Sequence, residues 1–316
     1  MKISLGVIMD PIGSINTKKD STFAMLLEAQ ARGWDICYME QGDLYLQDDR
    51  VSARMRMLEL ADNPQHWFHF TGERTAPLDT LNVILMRKDP PFDMEYIYCT
   101  YLLEKAEARG VLVVNSPASL RDCNEKLFTS WFPHCCPPTL VARGHERILS
   151  FVEQQGDVII KPLGGMGGAS IFRVRSNDPN INVIIETLTQ GGQQFTMAQR
   201  YLPEIKLGDK RVLLIDGKPI PFVLARIPKP GETRGNLAVG GRGVGQEISE
   251  RDRWIASQVG PELKKRGILF AGLDVIGDFL TEVNVTSPTC IRELDAQFGI
   301  NISAQLLDRI KEKLRP

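Results

Sequence analysis

Over the first ~120 residues, short apolar runs alternate with helix-length segments, and this alternation restricts the fold more than any other feature. ISLGVIM (3–9) reads as a strand. STFAMLLEAQARG (21–33) reads as a helix, with Ser21 at its N-cap and Gly33 just past its end. WDICYME (34–40) is a second strand, and LNVILM (81–86) a third that runs into the charged, proline-stopped loop RKDPPFD. MEYIYCTYLLEKAEARG (94–110) is a helix, and VLVVNSP (111–117) a strand. A β-α-β rhythm implies a parallel sheet with helices on both sides. Ligands in such sheets sit beyond the carboxyl ends of the strands. Here those ends carry Asp10, then Arg87-Lys88-Asp89, then Asn115-Ser116. These residues are either turn chemistry alone or substrate contacts.

The chain's 316 residues exceed the usual single core, so two or three lobes around clefts are expected. Its 43% apolar and 24% charged content is that of an ordinary globular protein. A net charge of −1 gives no electrostatic reason to expect nucleic acid or an anionic membrane as partner. No stretch approaches the ~20 apolar residues of a membrane span. The N-terminal stretch reads as a first buried strand rather than a signal peptide. None of the six cysteines forms a C-x-x-C pair, and Cys135 and Cys136 are adjacent, which predicts reduced thiols in the cytoplasm. His66 and His69 would point to opposite faces of a strand, which argues against a shared metal.

From about residue 124 the texture changes. NEKLFTSWF (124–132) reads as a short helix, and PTLVAR (138–143) and DVIIKPL (157–163) as strands around a helix near 145–155. MAQRYL (197–202), KRVLLIDGKPIPFVLAR (210–226) and FAGLDVIGDFLTEVNVT (270–286) read as mainly antiparallel strands, with Asp216-Gly217 a strong hairpin turn. Helices are expected at about 249–266, 289–297 and 303–313. Residues 227–246, rich in glycine with two prolines, read as a long loop of the kind that forms lids.

The most informative stretch is IIKPLGGMGGASIF (159–172). A buried strand delivers Lys161, a loop of Gly164, Gly165, Met166, Gly167 and Gly168 follows, and a second strand leaves. Glycines let the backbone turn its N–H groups toward an anion, and the lysine adds a point charge. This predicts a phosphate cradle between two strands. It is not a Walker loop, because the lysine precedes the glycines and no helix follows. A glycine-rich hairpin without a ligand is the alternative. Lys126, taken alone, would be a surface lysine.

Asp274, Glu282 and Asn284 supply two carboxylates and an amide oxygen, a donor set suited to Mg²⁺. They can cooperate only if they share a face. A strict two-residue turn at Gly277-Asp278 would set Asp274 opposite Thr281, on the valine face. A three-residue or bulged turn would set it opposite Glu282, because a one-residue slip flips every side chain. Shared metal binding therefore predicts the longer or bulged connection. Arg211 and Arg226, on antiparallel neighbours, can reach one end of the cleft, and Arg234 lies in the glycine-rich loop. Guanidinium groups suit phosphate and developing oxyanions. Together these parts read as phosphoryl-transfer machinery.

The set MRKDPPFD, SLRDCNEKLF, KPLGGMGGASIFRV, AQRYLPEIKLGDKRVL, ARIPKPGETRGNLAVGGRG and GLDVIGDFLTEVNVTSPTCIRE, in that order across nearly the whole chain, resembles the ATP-grasp superfamily and, within it, the bacterial glutathione synthetase family. The resemblance implies an α/β ATP-grasp fold, α+β in its C-terminal part, with a parallel-sheet pre-ATP-grasp domain over 1–123. It places a small lobe with the glycine loop over 124–202 and a C-terminal lobe over 203–316, with a lid at 227–246 and the metal site. By position, Lys126, Lys161 and the glycine loop would contact ATP phosphates, and Gln199, Tyr201 and Leu202 would lie along the adenine. Asp209 and Arg211 would finish the nucleotide site. Arg226, Arg234 and Asn236 would face the acyl phosphate and substrates, with Arg211, Arg226 and Arg234 as the catalytic arginines. Asp274, Glu282 and Asn284 would hold Mg²⁺ or Mn²⁺. Asp10, Arg87, Ser287 and Thr289 would contact substrate.

The implied reaction joins γ-glutamylcysteine and glycine at the expense of ATP, through an acyl phosphate, and the implied assembly is a cytoplasmic homotetramer. One departure is Gly164, where the family commonly has Asp. Another ligase of the superfamily, such as a D-alanine–D-alanine enzyme, would keep the ATP and metal residues but change RKDPPFD and the lid. A catalytically dead binding protein would have lost a metal carboxylate or an arginine, and this chain keeps them all.

Overall fold

The computed structural model describes residues 2–165, 168–229 and 240–315. The first sheet comprises β1 (Ser4–Ile8), β2 (Asp35–Met39), β3 (Leu44–Gln47), β4 (Arg50–Leu60), β5 (Phe68–Pro77), β6 (Val83–Met86) and β7 (Leu112–Val114). Its core is parallel: β1 pairs with β2 and β6, and β6 with β7. Helix α1 (Ser21–Ala31), capped by Asp20 rather than the expected Ser21, packs on one face. Helix α2 (Met94–Glu107), capped by Asp93, packs on the other. Alternate residues of each strand feed the two layers: Leu5, Val7, Ile36 and Tyr38 pack toward α1, and Ile8, Cys37 and Met39 toward α2.

The sheet is not wholly parallel, as the β-α-β rhythm implied. Strands β3, β4 and β5 add an antiparallel extension beyond β2. In β4, Val51, Ala53 and Met55 are buried at a spacing of two. In β5, every residue from His69 to Thr75 is exposed, so no apolar alternation marks it as a strand. His66 precedes β5 in a turn, so the two histidines do not share that strand.

A short α3 (Pro117–Asp122) leads into the second unit. NEKLFTSWF forms a single 3₁₀ segment, Leu127–Trp131, rather than an α-helix. Strands β8 (Thr139–Ala142), β9 (Asp157–Pro162), β10 (Phe172–Arg175) and β11 (Thr196–Arg200) form an antiparallel sheet in the order β10-β9-β11-β8. Helices α4 (His145–Gln155) and α5 (Ile181–Thr189) cover one face through Ile148, Val152 and Ile185 against Val158 and Ile160. The intervening residues Ile159 and Lys161 therefore face the other way.

The third sheet, in the order β14-β13-β12-β15-β16, is antiparallel. It contains β12 (Asp209–Ile215), β13 (Lys218–Ile227), β14 (Arg242–Glu247), β15 (Phe270–Ile276) and β16 (Phe279–Asn284). Asp216 and Gly217, both at positive φ, make the two-residue turn between β12 and β13. Helix α6 (Glu250–Lys265) passes so close that a Cβ on Gly260 would lie 2.1 Å from the Gly217 carbonyl oxygen. Helices α7 (Ile291–Phe298) and α8 (Ile302–Lys313) return to pack with α1. The 227–246 segment is not loop throughout: Arg242–Glu247 is the edge strand β14, paired along β13. Arg234, Asn236 and the middle of the expected lid, residues 230–239, lie outside the described residues.

Candidate active site

The second and third sheets and the loop after β6 enclose one cleft of about 330 Å³. On the small-sheet side, Ile159 pairs with Gln199 and Lys161 with Met197, which points the tetrad's cleft-facing members the same way. Ile159, Lys161, Gln199, Tyr201 and Leu202 line the cleft, with Ile171 and Ile276 adding apolar walls. Lys161 is buried, and burial lowers its pKa against the pull of Glu282. The Arg173 guanidinium lies 3.6 Å over the Tyr201 ring and is held there by two bonds to Asp157, of 2.9 and 2.6 Å. This fixes the Tyr201 ring beside the cleft.

Gly165 and Gly168 sit at positive φ and line the cleft, as a backbone cradle requires. Gly164 does not: its φ is ordinary and a side chain there would meet open space. The Asp common in the family at this position would therefore fit without strain. Met166 and Gly167 lie outside the described residues. Lys126 closes the loop from below, donating to the Gly165 carbonyl at 3.0 Å and to Glu125 at 2.8 Å. Burial works against its charge, but Glu282 and Glu125 outweigh burial and raise its pKa. It is a buried cleft residue, not a surface lysine.

On the large-sheet side, Arg211 and Asp274 are register partners on β12 and β15. Arg211 binds Asp274 through Nε at 2.6 Å and Nη2 at 3.2 Å, and Arg226 reaches the same carboxylate at 2.8 Å. Arg226 also binds Asp209, its partner across β12–β13. All four groups are buried or nearly so. Burial alone would raise the Asp274 carboxyl; the two guanidiniums outweigh it and hold the pKa below the usual range. Asp209 goes the other way, raised by burial despite Arg226, with Asp274 and Glu282 adding to the rise.

The connection at Gly277 decides which face Asp274 shares. The turn itself is the tight two-residue one, with Ile276 opposite Phe279 and Val275 opposite Leu280. A β-bulge follows, Thr281 is left without a partner, and Asp274 faces Glu282. Asn284 lies two residues further along the same face, and all three line the cleft. Among the described residues no cation is hydrogen-bonded to Glu282; Lys126 stands 3.9 Å away. The Asn284 amide nitrogen is buried and unpartnered. Glu282 and Asn284, opposite the arginine-bound Asp274, put two carboxylates and an amide oxygen on one face, the donor chemistry of a hard divalent cation. Among the described residues no group of three His, Cys, Asp or Glu gathers for a metal, in this cleft or outside it; the set here is two carboxylates and an amide.

Ser287 and Thr289 line the far wall, beside Thr286, Pro288 and Cys290. Asp10 and Arg87 do not line the cleft. Asp10 accepts bonds from Lys88 Nζ at 2.8 Å and the Asp89 amide at 2.9 Å, and Arg87 is buried on Thr22 and the Pro288 carbonyl. In this structure both brace the wall instead of facing the cleft. Asn115 likewise bonds only backbone, including the Val285 carbonyl at 2.6 Å. Residues not singled out from sequence are Glu125, next to Lys126, and the apolar lining Ile159, Ile171 and Ile276, which look like any strand residue.

Comparison with known proteins places the chain. Residues 3–121 match the prokaryotic glutathione synthetase N-terminal domain, and residues 125–299 its ATP-grasp domain. The chain is 62% identical over 315 residues to the glutathione synthetase of Pseudomonas syringae pv. tomato, covering 100% of this chain and 99% of the relative. It is 59% identical over 313 residues to that of Escherichia coli K12, covering 99% of both. Among solved structures, D-cycloserine synthetase DcsG superposes with a TM-score of 0.69 at 12% identity, covering 99% of this chain and 100% of that one. ATP-grasp ligase PsnB complexed with minimal precursor gives 0.64 at 17%, covering 99% of both. At such identities these two structures speak to the fold alone, which is ATP-grasp. On the full-length matches, the chain belongs to the prokaryotic glutathione synthetase family of ATP-grasp enzymes.

Proposed function

We propose that this cleft joins γ-glutamylcysteine to glycine, forming glutathione with release of ADP and phosphate. The observation that carries the reading is the full-length similarity of about 60% to glutathione synthetases. The arginine–carboxylate cluster around Asp274 gives it a chemical basis.

A free carboxylate is a poor electrophile, so it must first gain a leaving group. A carboxylate oxygen of the dipeptide attacks the γ-phosphorus of ATP, the bond to the β-bridging oxygen breaks, and ADP leaves. The glycine nitrogen then attacks the acyl carbon, and phosphate departs with the carboxylate oxygen. Lys126 and Lys161 hold the phosphates from two sides, and Gly165 and Gly168 offer backbone N–H groups. Ile159, Ile171 and Ile276 wall the base, beside Gln199, Tyr201 and Leu202. Arg211 and Arg226, fixed on Asp274, present positive charge where the transferred phosphoryl group develops its own, so little reorganisation is needed. Asp274, Glu282 and Asn284 would hold the family's divalent cation. When bound, that ion neutralises phosphate charge and orients the transferring group.

The all-oxygen donor set suits Mg²⁺ and Mn²⁺ alike. Functional units at 1–123, 124–202 and 203–316 are supported by the three separate sheets. A homotetramer rests on the family resemblance. A cytoplasmic setting is supported by six cysteines, all unpaired. No helix of the described residues is long and apolar enough to cross a membrane.

Coupled ADP release tests the ligase reading. ADP release should require both γ-glutamylcysteine and glycine, and D-alanine should not replace them. Release that ignores glycine would overturn the assignment.

A further inference from the structure

Both amino-acid substrates of the proposed ligation carry a primary ammonium as well as a carboxylate. The cleft offers ample cations for the carboxylates and phosphates. For an ammonium, the lining supplies five carboxylates: Asp89, Glu125, Asp209, Asp274 and Glu282. Four of them are engaged. Glu125 holds Lys126, Asp209 holds Arg226, Asp274 holds both arginines, and Glu282 faces Lys126 and the proposed cation site.

Asp89 differs. Among the described residues its side chain accepts no hydrogen bond and has no cation within salt-bridge distance. Its neighbour Lys88 is turned away, donating to Asp10 at 2.8 Å and to the Asp89 backbone carbonyl at 2.8 Å. Yet the loop that carries Asp89 is firmly placed. The Asp89 amide donates to Asp10 at 2.9 Å, and Pro90 and Pro91 follow. Two residues earlier, the buried Arg87 donates to the Pro288 carbonyl at 2.9 Å and to Thr22 at 3.0 Å. That bond ties the Asp89 loop to the segment bearing Ser287 and Thr289, and all three residues line the same cleft.

We infer that Asp89 binds the ammonium of an amino-acid substrate, and that the Arg87–Pro288 and Asp10–Asp89 bonds hold it in place to do so. The inference rests on the ligase reading and adds a specificity residue to it. Asp89 is exposed at the cleft mouth, so Asp89→Asn preserves shape and folding while removing the charge.

The test pairs that variant with glutarylcysteine, which is γ-glutamylcysteine without its α-ammonium. Wild-type enzyme should use the analogue about tenfold to a hundredfold less efficiently by kcat/KM, the range for a hydrogen bond to a charged group. Asp89→Asn should lose that much on the natural dipeptide, nothing further on the analogue, and leave the KM for ATP unchanged. If the ammonium held is glycine's, the KM for glycine rises instead and the analogue penalty persists, which still supports an ammonium site. Both amino-acid KM values within about twofold of wild type, with the penalty unchanged, would overturn it. Glycine-dependent ADP release by the wild type reads out the ligase assignment separately.

Discussion

Asp274 and Glu282 face each other across β15 and β16 because Thr281 is bulged out between them. The turn at Gly277-Asp278 is too short to do this by itself. The extra residue moves Glu282 and Asn284 onto the cleft face and Val283 and Val285 into the core, where both valines are buried. The chemistry of the site thus depends on a residue count, not only on residue type.

Deleting Thr281 should therefore abolish the site even though none of Asp274, Glu282 and Asn284 is touched. Activity is expected to fall by at least about a hundredfold and Mn²⁺ binding, followed by electron paramagnetic resonance, to disappear, because the slip turns Glu282 and Asn284 away. Thr281→Ala keeps the count and should retain activity within about fivefold. Equal damage from both changes would mean that the threonine side chain, not the bulge, matters.

Asp274 and Glu282 should separate under mutation. Asp274→Asn leaves two buried guanidiniums short of a counter-charge, so unfolding in urea should show a loss of about 3–5 kcal/mol together with lost activity. Glu282 is partly exposed, and among the described residues its ion pair is the long one to Lys126 at 3.9 Å. Glu282→Gln should keep stability within about 1 kcal/mol while raising the divalent-cation concentration for half-maximal activity more than tenfold.

Asp295 on α7 predicts a pH effect away from the cleft. Burial pushes its carboxyl up to about 6, against the Ile302 amide it accepts and Arg292. The folded state binds this proton more tightly than the unfolded one. Its contribution to stability is therefore full below about pH 4 and lost as pH rises through about 6. Asp295→Asn keeps an acceptor for Ile302 and removes the titration. Relative to wild type, the variant should gain stability between pH 4 and 7, by roughly 1 kcal/mol after allowance for partial exposure. Melting curves at pH 4, 5, 6 and 7 would check this, and a constant difference would contradict it.

Much of this was readable from the residues. Apolar periodicity marked the parallel strands β1, β2, β6 and β7. The Asp216-Gly217 pair marked its hairpin, and the Lys161–glycine run marked the loop that lines the cleft. Three things were not readable, each for a physical reason. Strand β5 is exposed on both faces, so burial left no alternation in its sequence. Strand β14, RGVGQE, carries glycines that read as loop, and pairing with β13 overrides that propensity. The roles of Asp10, Arg87 and Asn115 depend on which backbone groups the fold brings near them, at separations of up to 201 residues. The same holds for Asp89, whose distinction is that no side chain among the described residues partners it.

The central claim is that a carboxylate is phosphorylated in this cleft and then captured by an amine. Oxygen tracing tests it most directly. With both cysteinyl carboxylate oxygens of γ-glutamylcysteine labelled as ¹⁸O, the phosphate released with glycine present should carry one labelled oxygen, and the new amide should keep the other. Phosphate released without label, while tripeptide forms, would contradict the acyl-phosphate route and with it the role given to Arg211 and Arg226.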